Sequence, residues 1–158
     1  MAAKKLRQLR QQAFERQNRC CFYCEYPIWD TDQESFSRAH GLPSRISKHL
    51  QCTAEHLVAR QDSGQDTADN IVAACLWCNR MRHHARSRKA PDPSTYKLRI
   101  SQLIAVGRWH PLAASQRTKC LPLPKLTPHA FPCKPSLMAR LIPGIRQGPY
   151  SQLTYKDF

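Results

Sequence analysis

Apolar residues near the start of the chain recur at helical spacing. Leu6, Leu9 and Ala13 lie three or four positions apart, which places their side chains on one face of a helix. Basic side chains fill the other faces: Lys4, Lys5, Arg7, Arg10 and Arg16. The pattern predicts a basic amphipathic helix over residues 2–19.

The next patterned segments are short. Residues 20–29 (CCFYCEYPIW) indicate an aromatic segment with a turn between its cysteines, and the polar residues 30–50 favour one or two short helices. Residues 51–60 (QCTAEHLVAR) mix apolar and polar positions as a short strand does. A polar cluster with one glycine at residues 62–66 (DSGQD) predicts a loop behind this strand.

Two further helices are predicted downstream. Residues 73–89 have a helical pattern that Pro91 and Pro93 must end, so strand, loop and helix are expected in that order. A second helix is expected to begin at Ser94 as N-cap and to stop at Gly107. Its apolar face comprises Tyr96, Ile100, Leu103 and Ile104.

Composition changes beyond Trp109. Eight of the 12 prolines fall between His110 and the C-terminus, which is typical of an extended arm that wraps a domain or reaches a partner. We therefore expect four parts: a basic helix (1–19), a central domain (20–90), an accessory helix (91–109) and a Pro-rich basic extension (110–158).

Charge is unevenly distributed. Lys and Arg number 25 against 11 acidic residues, a formal net charge of +14. Residues 20–79 carry four basic and eight acidic residues, whereas both flanks are strongly basic. This distribution favours a polyanionic partner that binds to the basic flanks. The acidic residues in the middle of the chain are then available to bind a cation.

The eight cysteines point to metal binding rather than to disulfides. The N-terminal residues lack the apolar stretch of a signal peptide and no apolar run approaches 18 residues, so we expect no membrane segment and a reducing compartment. Cys21, Cys24, Cys75 and Cys78 form two Cys-x-x-Cys pairs, the ligand set of a structural Zn²⁺. Cys20 is an alternative first ligand, at the less common spacing Cys20-x-x-x-Cys24. Cys52 is expected to pack as a small apolar residue.

Between these pairs lie an acid-His pair, a Gly-bearing loop and two asparagines, in QCTAEHLVARQDSGQDTADNIVAACLWCNRMRHH. Over residues 20–84 the chain resembles the zinc-bearing HNH endonucleases. The resemblance implies an α+β fold: a small ββα-metal (His-Me finger) core with a structural zinc knuckle, flanked here by helices and the Pro-rich C-terminal extension. It also implies hydrolysis of phosphodiester bonds with a catalytic Mg²⁺ or Mn²⁺.

The resemblance assigns roles by position. His56 matches the general base, Asn70 the asparagine that braces the hairpin and orients the base, and Glu55 and Asn79 the ligands of the catalytic cation. His83, four residues after Asn79 on the predicted helix, is a candidate third ligand. Phosphate contacts are expected from two basic groups: Arg80, Arg82, Arg86 and Arg88 after the second cysteine pair, and Lys4, Lys5 and Arg7 on the first helix.

Some positions depart from the family pattern. Glu55 stands where Asp is usual and Asn79 where His is expected, which affects metal preference more than activity. Glu55 and His56 are neighbours, so both can serve one site only where the strand twists or ends.

The sequence therefore predicts a metal-dependent endonuclease acting on nucleic acid, with duplex DNA as the expected substrate. We expect a cytoplasmic protein of a bacterium or phage, with a homodimer or larger assembly contacted through the C-terminal extension. Two alternatives remain: a non-catalytic zinc-knuckle module that binds DNA or RNA, and an interaction protein that uses the Pro-rich tail.

Overall fold

The structure of the chain, a computed structural model, describes residues 2–84 and 89–112. Its elements follow in the order α1 (Ala2–Arg16), α2 (Gln33–Ala39), α3 (Ser44–Ser47), β1 (Cys52–His56), β2 (Ile71–Cys75), α4 (Leu76–Arg82) and α5 (Pro93–Ala105). The succession of β1, β2 and α4 confirms the predicted α+β class with a ββα core. No helix in the described part is long and apolar enough to cross a bilayer.

The two strands form an antiparallel pair whose register runs from Cys52 opposite Cys75 to His56 opposite Ile71. The outer edge of β2 is closed by a side chain from beyond α1. Gln17 Nε2 donates to the Ala73 carbonyl at 2.8 Å, and the Ala73 N–H donates to Gln17 Oε1 at 2.9 Å. Gln17 thus replaces a third strand and keeps the backbone of this edge hydrogen-bonded.

The prediction of a helix over residues 73–89 is wrong at both ends. Ile71–Cys75 is a strand, and α4 occupies only Leu76–Arg82. Every residue of β2 is buried, so the strand lacks the polar alternation that identifies a half-exposed strand. A short apolar run of this kind is indistinguishable from a buried helix by periodicity alone.

The other predicted elements are present with different ends. The strand expected at residues 51–60 is limited to Cys52–His56, and the polar stretch holds two short helices, α2 and α3. Helix α1 ends at Arg16 rather than near residue 19, where Asn18 and Arg19 adopt positive φ angles of 53° and 60°.

Helix α5 begins two positions earlier than predicted. Asp92, not Ser94, is its N-cap, because the Asp92 carboxylate accepts from the N–H groups of Ser94 and Thr95. Pro93 fills the first helical position, where no N–H is needed. As expected, Tyr96 and Ile100 face the core, and Gly107 ends the helix with a φ of +65°.

Candidate functional site

Four cysteines from two parts of the chain meet in the core. The Sγ atoms of Cys21, Cys24, Cys75 and Cys78 all lie within 4.8 Å of one another, and all four residues are buried. A tetrahedral zinc with Zn–S bonds of about 2.3 Å places its sulfurs about 3.8 Å apart. Cys24 Sγ and Cys75 Sγ are 3.9 Å apart. The predicted cluster is confirmed as a group that can hold zinc, and Cys21 rather than Cys20 belongs to it.

Groups around the cluster are arranged to stabilise negative sulfur. The Cys75 N–H donates to Cys21 Sγ at 3.2 Å and the Cys78 N–H to Cys75 Sγ at 3.3 Å. Trp109 Nε1 donates to Cys78 Sγ at 3.4 Å. Burial raises the pKa of Cys24 and Cys78 well above that of an ordinary thiol, so a compensating cation is needed to keep all four sulfurs as thiolates.

Cys52 follows the expected apolar packing. It is buried beside the cluster at the start of β1 and is not one of its four members. Burial raises the pKa of Cys52 to about 12, so its thiol stays protonated at neutral pH. Cys120, Cys133 and the rest of residues 113–158 lie outside the described residues.

Glu55 is a buried carboxylate with three side-chain partners. Its Oε1 accepts from Tyr23 Oη at 3.0 Å and from Arg82 Nη1, while His83 Nε2 lies 3.2 Å from both carboxylate oxygens. Tyr23 stands between Cys21 and Cys24, so the first cysteine pair positions a hydrogen-bond donor to this acid. Burial is the main cause that raises the pKa of Tyr23, which keeps its hydroxyl protonated as a donor.

Arg82 occupies a different place from the one predicted. It was expected to contact phosphate, but its side chain is 2% exposed and is held by Glu55. Its other bonds go to backbone carbonyls: those of His56, Leu57 and Pro91. With all its N–H groups directed inward, Arg82 joins the end of β1 to α4 and to the segment before α5 instead of meeting a ligand.

Asn79 and His83 both face β1, as their four-residue spacing requires. Asn79 Nδ2 donates to Thr53 Oγ1 at 3.0 Å and to the Ala54 carbonyl at 3.3 Å. These bonds use the amide nitrogen, so the amide oxygen Oδ1 is left as an acceptor atom. His83 caps the end of α4 and is the more accessible partner of the buried acid, at 35% side-chain exposure against 2% for Glu55. A carboxylate, an amide and an imidazole therefore line this junction.

His56 is the last residue of β1, so it stands where the strand ends. Its Nε2 lies 2.8 Å from Asp66 Oδ1 in the loop between the strands. Arg60 Nη2 is 3.0 Å from each oxygen of Asp66, and Arg60 Nε is 3.3 Å from His56 Nε2. Glu55 thus contacts α4, whereas the His56 ring contacts the interstrand loop.

Asn70 ties the two ends of that loop together. Its Oδ1 accepts from the Val58 N–H at 2.8 Å, and its Nδ2 donates to the carbonyls of Val58 at 3.1 Å and Gln65 at 2.9 Å. Gly64 is sterically required, because a Cβ there would lie 1.7 Å from the Val58 carbonyl oxygen. These contacts hold the loop, and among the described residues none of the side-chain hydrogen bonds of Asn70 is to His56, the base it is predicted to orient.

The predicted phosphate contacts differ in accessibility. Lys4, Lys5 and Arg7 are exposed on α1, and Arg80 is exposed on α4. Arg86 and Arg88 lie outside the described residues.

Sequence reasoning missed Tyr23, Asp66 and the true place of Arg82. Tyr23 was visible only as one aromatic residue inside the first cysteine pair, and Asp66 as one of several polar loop residues. Neither has a spacing that marks it as a partner of Glu55 or His56.

Comparison with known proteins covers the same segment of the chain. Residues 41–85 match the family model of HNH endonuclease. That segment includes Glu55, His56, Asn70, Asn79 and His83, together with the second cysteine pair. No curated protein and no solved structure matched the chain. The HNH resemblance is thereby confirmed for this segment, and it indicates a nuclease that acts on nucleic acid.

Proposed function

We propose that this protein is a metal-dependent endonuclease that hydrolyses phosphodiester bonds in duplex DNA. The observation that carries the proposal is the meeting of Glu55 and His83 across the ββα unit, with His83 Nε2 at 3.2 Å from both carboxylate oxygens. Strand and helix contribute one hard oxygen donor and one imidazole, a pair that suits a divalent cation.

The spacing of these donors fits the cation. Two neighbouring ligands on an octahedral Mg²⁺ or Mn²⁺, each about 2.1 Å away, are separated by about 3.0 Å. The Glu55 and His83 atoms are 3.2 Å apart, and Asn79 Oδ1 is a further oxygen donor from the preceding helical turn. Glu55, Asn79 and His83 would hold the cation. When bound, it would offset charge on the scissile phosphate and on the leaving oxygen.

His56 is the proposed general base. A neutral imidazole accepts a proton from water near physiological pH, which makes the water nucleophilic toward phosphorus. Tyr23 and Arg82 hold Glu55 in place, and Asn70 fixes the loop that faces His56. A second, structural metal is proposed to be Zn²⁺ at Cys21, Cys24, Cys75 and Cys78.

The exposed lysines and arginines support a nucleic-acid substrate. Lys4, Lys5 and Arg7 on α1 and Arg80 on α4 are exposed, so they can neutralise backbone phosphates. One centre cuts one strand, so a monomer is expected to nick plasmid DNA. Double-strand cleavage would require two copies, which we propose assemble through the C-terminal extension.

A non-catalytic nucleic-acid-binding module is the second candidate. The observation that favours it is that Glu55 is already paired with Arg82, and His56 with Asp66. In such a module these pairs would only stabilise the fold. Substitution of His56 separates the two candidates, because a binding module does not need a base.

The test is cleavage of supercoiled plasmid by wild-type and His56→Ala protein in Mg²⁺, Mn²⁺ or excess EDTA. The matched control is His84→Ala, which removes an exposed histidine one residue beyond His83. Zinc content is measured in each sample, so that loss of the structural metal is not mistaken for loss of the catalytic one. We expect metal-dependent nicking by wild type and control, and a fall of about 10²- to 10⁴-fold in the His56 variant. Equal cleavage by all three proteins would reject the assignment.

A further inference from the structure

We infer that Asp66 is a positioning residue for the His56 base: it holds the imidazole in one orientation with the proton on Nε2, leaving Nδ1 to accept the proton of water. This inference rests on the proposed nuclease function. It adds a residue that the resemblance did not assign, in a loop that sequence analysis left without a role.

The contact itself indicates which ring nitrogen carries the proton. Nε2 of His56 and Oδ1 of Asp66 are 2.8 Å apart, a distance at which a bare nitrogen and a carboxylate oxygen would repel. Only an Nε2–H can donate to this acceptor. Arg60 Nε also has hydrogen-bond geometry toward Nε2, at the longer distance of 3.3 Å. Because a bare Nε2 would make the 2.8 Å contact with the carboxylate repulsive, the shorter contact decides the assignment. In the described part of the chain, every hydrogen-bonding contact of the ring is made by Nε2.

Asp66 is kept in the ionised form that such an acceptor requires. The hydrogen bond from His56, followed by those from Arg60, holds the pKa of Asp66 below its usual range. Arg60 Nη2 reaches both carboxylate oxygens at 3.0 Å, which fixes the rotation of the carboxyl group. The acid therefore presents a fixed, negatively charged oxygen to the imidazole.

The loop backbone places Asp66, which distinguishes it from a chance surface pair. Asn70 Nδ2 binds the carbonyl of Gln65, the residue before Asp66, and the turn at Gly64 has no room for a side chain. His56 and Asp66 side chains are 13% and 18% exposed, far less than those of the surface pair formed by Arg38 and Glu34, at 67% and 83%. Exposed pairs of that kind contribute little to stability. The partly buried Asp66 lies on a loop held by hydrogen bonds, so it can orient the His56 ring.

Substitution of Asp66 tests the role through its effect on the ring. In Asp66→Asn, Arg60 is expected to bind the amide oxygen, which turns the amide N–H₂ toward His56 and favours the proton on Nδ1. In Asp66→Glu the acceptor is kept. The matched control is Asp69→Asn, an exposed acid in the same loop. The first measurement is the single-turnover cleavage rate at saturating metal and plasmid, with Mn²⁺ affinity and the thermal midpoint as checks.

We expect the Asp66→Asn rate to fall about 10- to 100-fold, the loss found when the hydrogen-bond partners of metal-ligating histidines are removed. Mn²⁺ affinity should be unchanged, and Asp66→Glu should recover much of the rate. The Asp69 control should match wild type. A wild-type rate in Asp66→Asn would overturn the inference, and a faster rate would show that Asp66 obstructs the base.

The second measurement reads the proton directly. Long-range ¹H–¹⁵N NMR spectra of histidine-labelled protein, at a pH where the ring is neutral, show which nitrogen is protonated, and His56→Gln identifies the His56 signals. We expect Nε2–H in wild type and a shift toward Nδ1–H in Asp66→Asn. An Nδ1–H form in wild type would refute the inference. If wild type cleaves nothing, the nuclease proposal fails, yet these spectra still decide whether Asp66 sets the tautomer.

Discussion

The cysteine cluster and the candidate active site (Glu55, His56, Asn79 and His83) differ in solvent exposure and in how their charge is balanced. The cluster is buried, and its sulfurs accept hydrogen bonds from backbone N–H groups and one indole. The active site keeps its acid buried but reaches solvent through two partly exposed histidines, and its charges are balanced by other side chains. A closed set of four ligands suits structure, whereas an open set leaves positions for water and substrate.

The two regions are nevertheless connected. Tyr23 belongs to the first cysteine pair and donates to Glu55, and α4 carries Cys78 and Asn79 as neighbours. A change in the cluster should therefore disturb the active site. A change in the active site should leave the cluster and its zinc intact. The expected dependence is asymmetric, because it runs from the cluster to the active site and not in the reverse direction.

The largest effect is expected from Cys75→Ala. Structural zinc contributes about 10 to 16 kcal/mol in small zinc modules, as much as the whole stability of a typical domain. Removing one of four ligands should therefore abolish cooperative unfolding as well as cleavage. Circular dichroism and zinc analysis check this. The control is Cys52→Ala, a buried cysteine outside the cluster, which should keep one zinc per chain. A folded, zinc-loaded Cys75 variant would contradict the prediction.

The second-largest effect is expected from Glu55→Gln. This variant should lower cleavage and stability through different partners of Glu55. Cleavage should be abolished, since the variant removes the charged oxygen donor of the cation. Stability should fall by about 3 to 5 kcal/mol, because the buried Arg82 guanidinium is left without its counter-charge. Urea unfolding and plasmid nicking measure the two effects, with Glu34→Gln, an exposed acid, as the control.

A double variant, Glu55→Gln with Arg82→Met, separates the two causes. Removing both charges should recover much of the stability without restoring cleavage. Cleavage restored together with stability would show that Glu55 acts only through the fold.

Tyr23→Phe should have a smaller effect, confined to the active site. Its hydroxyl donates to Glu55 Oε1 at 3.0 Å, and hydrogen bonds to charged groups contribute about 1.5 to 3 kcal/mol. Cleavage should fall about 10-fold as Glu55 loses one of its positioning partners. The zinc content should remain at one per chain, because the ring still packs edge-on against Tyr96. Zinc loss in this variant would contradict the proposed asymmetry.

The same contrast explains what the sequence could predict. The cysteine cluster follows from two short motifs, since a Cys-x-x-Cys pair places its sulfurs together whatever surrounds it. The roles proposed for Glu55 and His56 came from resemblance. Their partners depend on tertiary contacts over 10 to 32 residues of chain, as in the bonds to Asp66 and Tyr23. No local pattern encodes such contacts.

Strand β2 and Arg82 show a second limit on what can be predicted from the sequence, which is burial. The residues IVAAC are buried at every position, because α1 and the cysteine cluster cover them, so the period that separates strand from helix is missing. Arg82 lies among other basic residues in the sequence, but the turn of α4 directs it into the core. Burial of a single charged residue depends on its counter-charge, here Glu55, which lies 27 positions away.

The smallest effect is expected far from both regions. Replacing Lys4, Lys5 and Arg7 with Gln should weaken DNA binding and leave zinc content and the chemical step unchanged. Removal of each phosphate-binding side chain should lower the slope of log K against log salt by about 0.9. The matched control replaces Arg19, Arg38 and Lys97, three basic residues already paired with glutamates, for the same change in net charge. Equal salt slopes for the two triple variants would show that net charge, rather than the exposed face of α1, attracts the DNA.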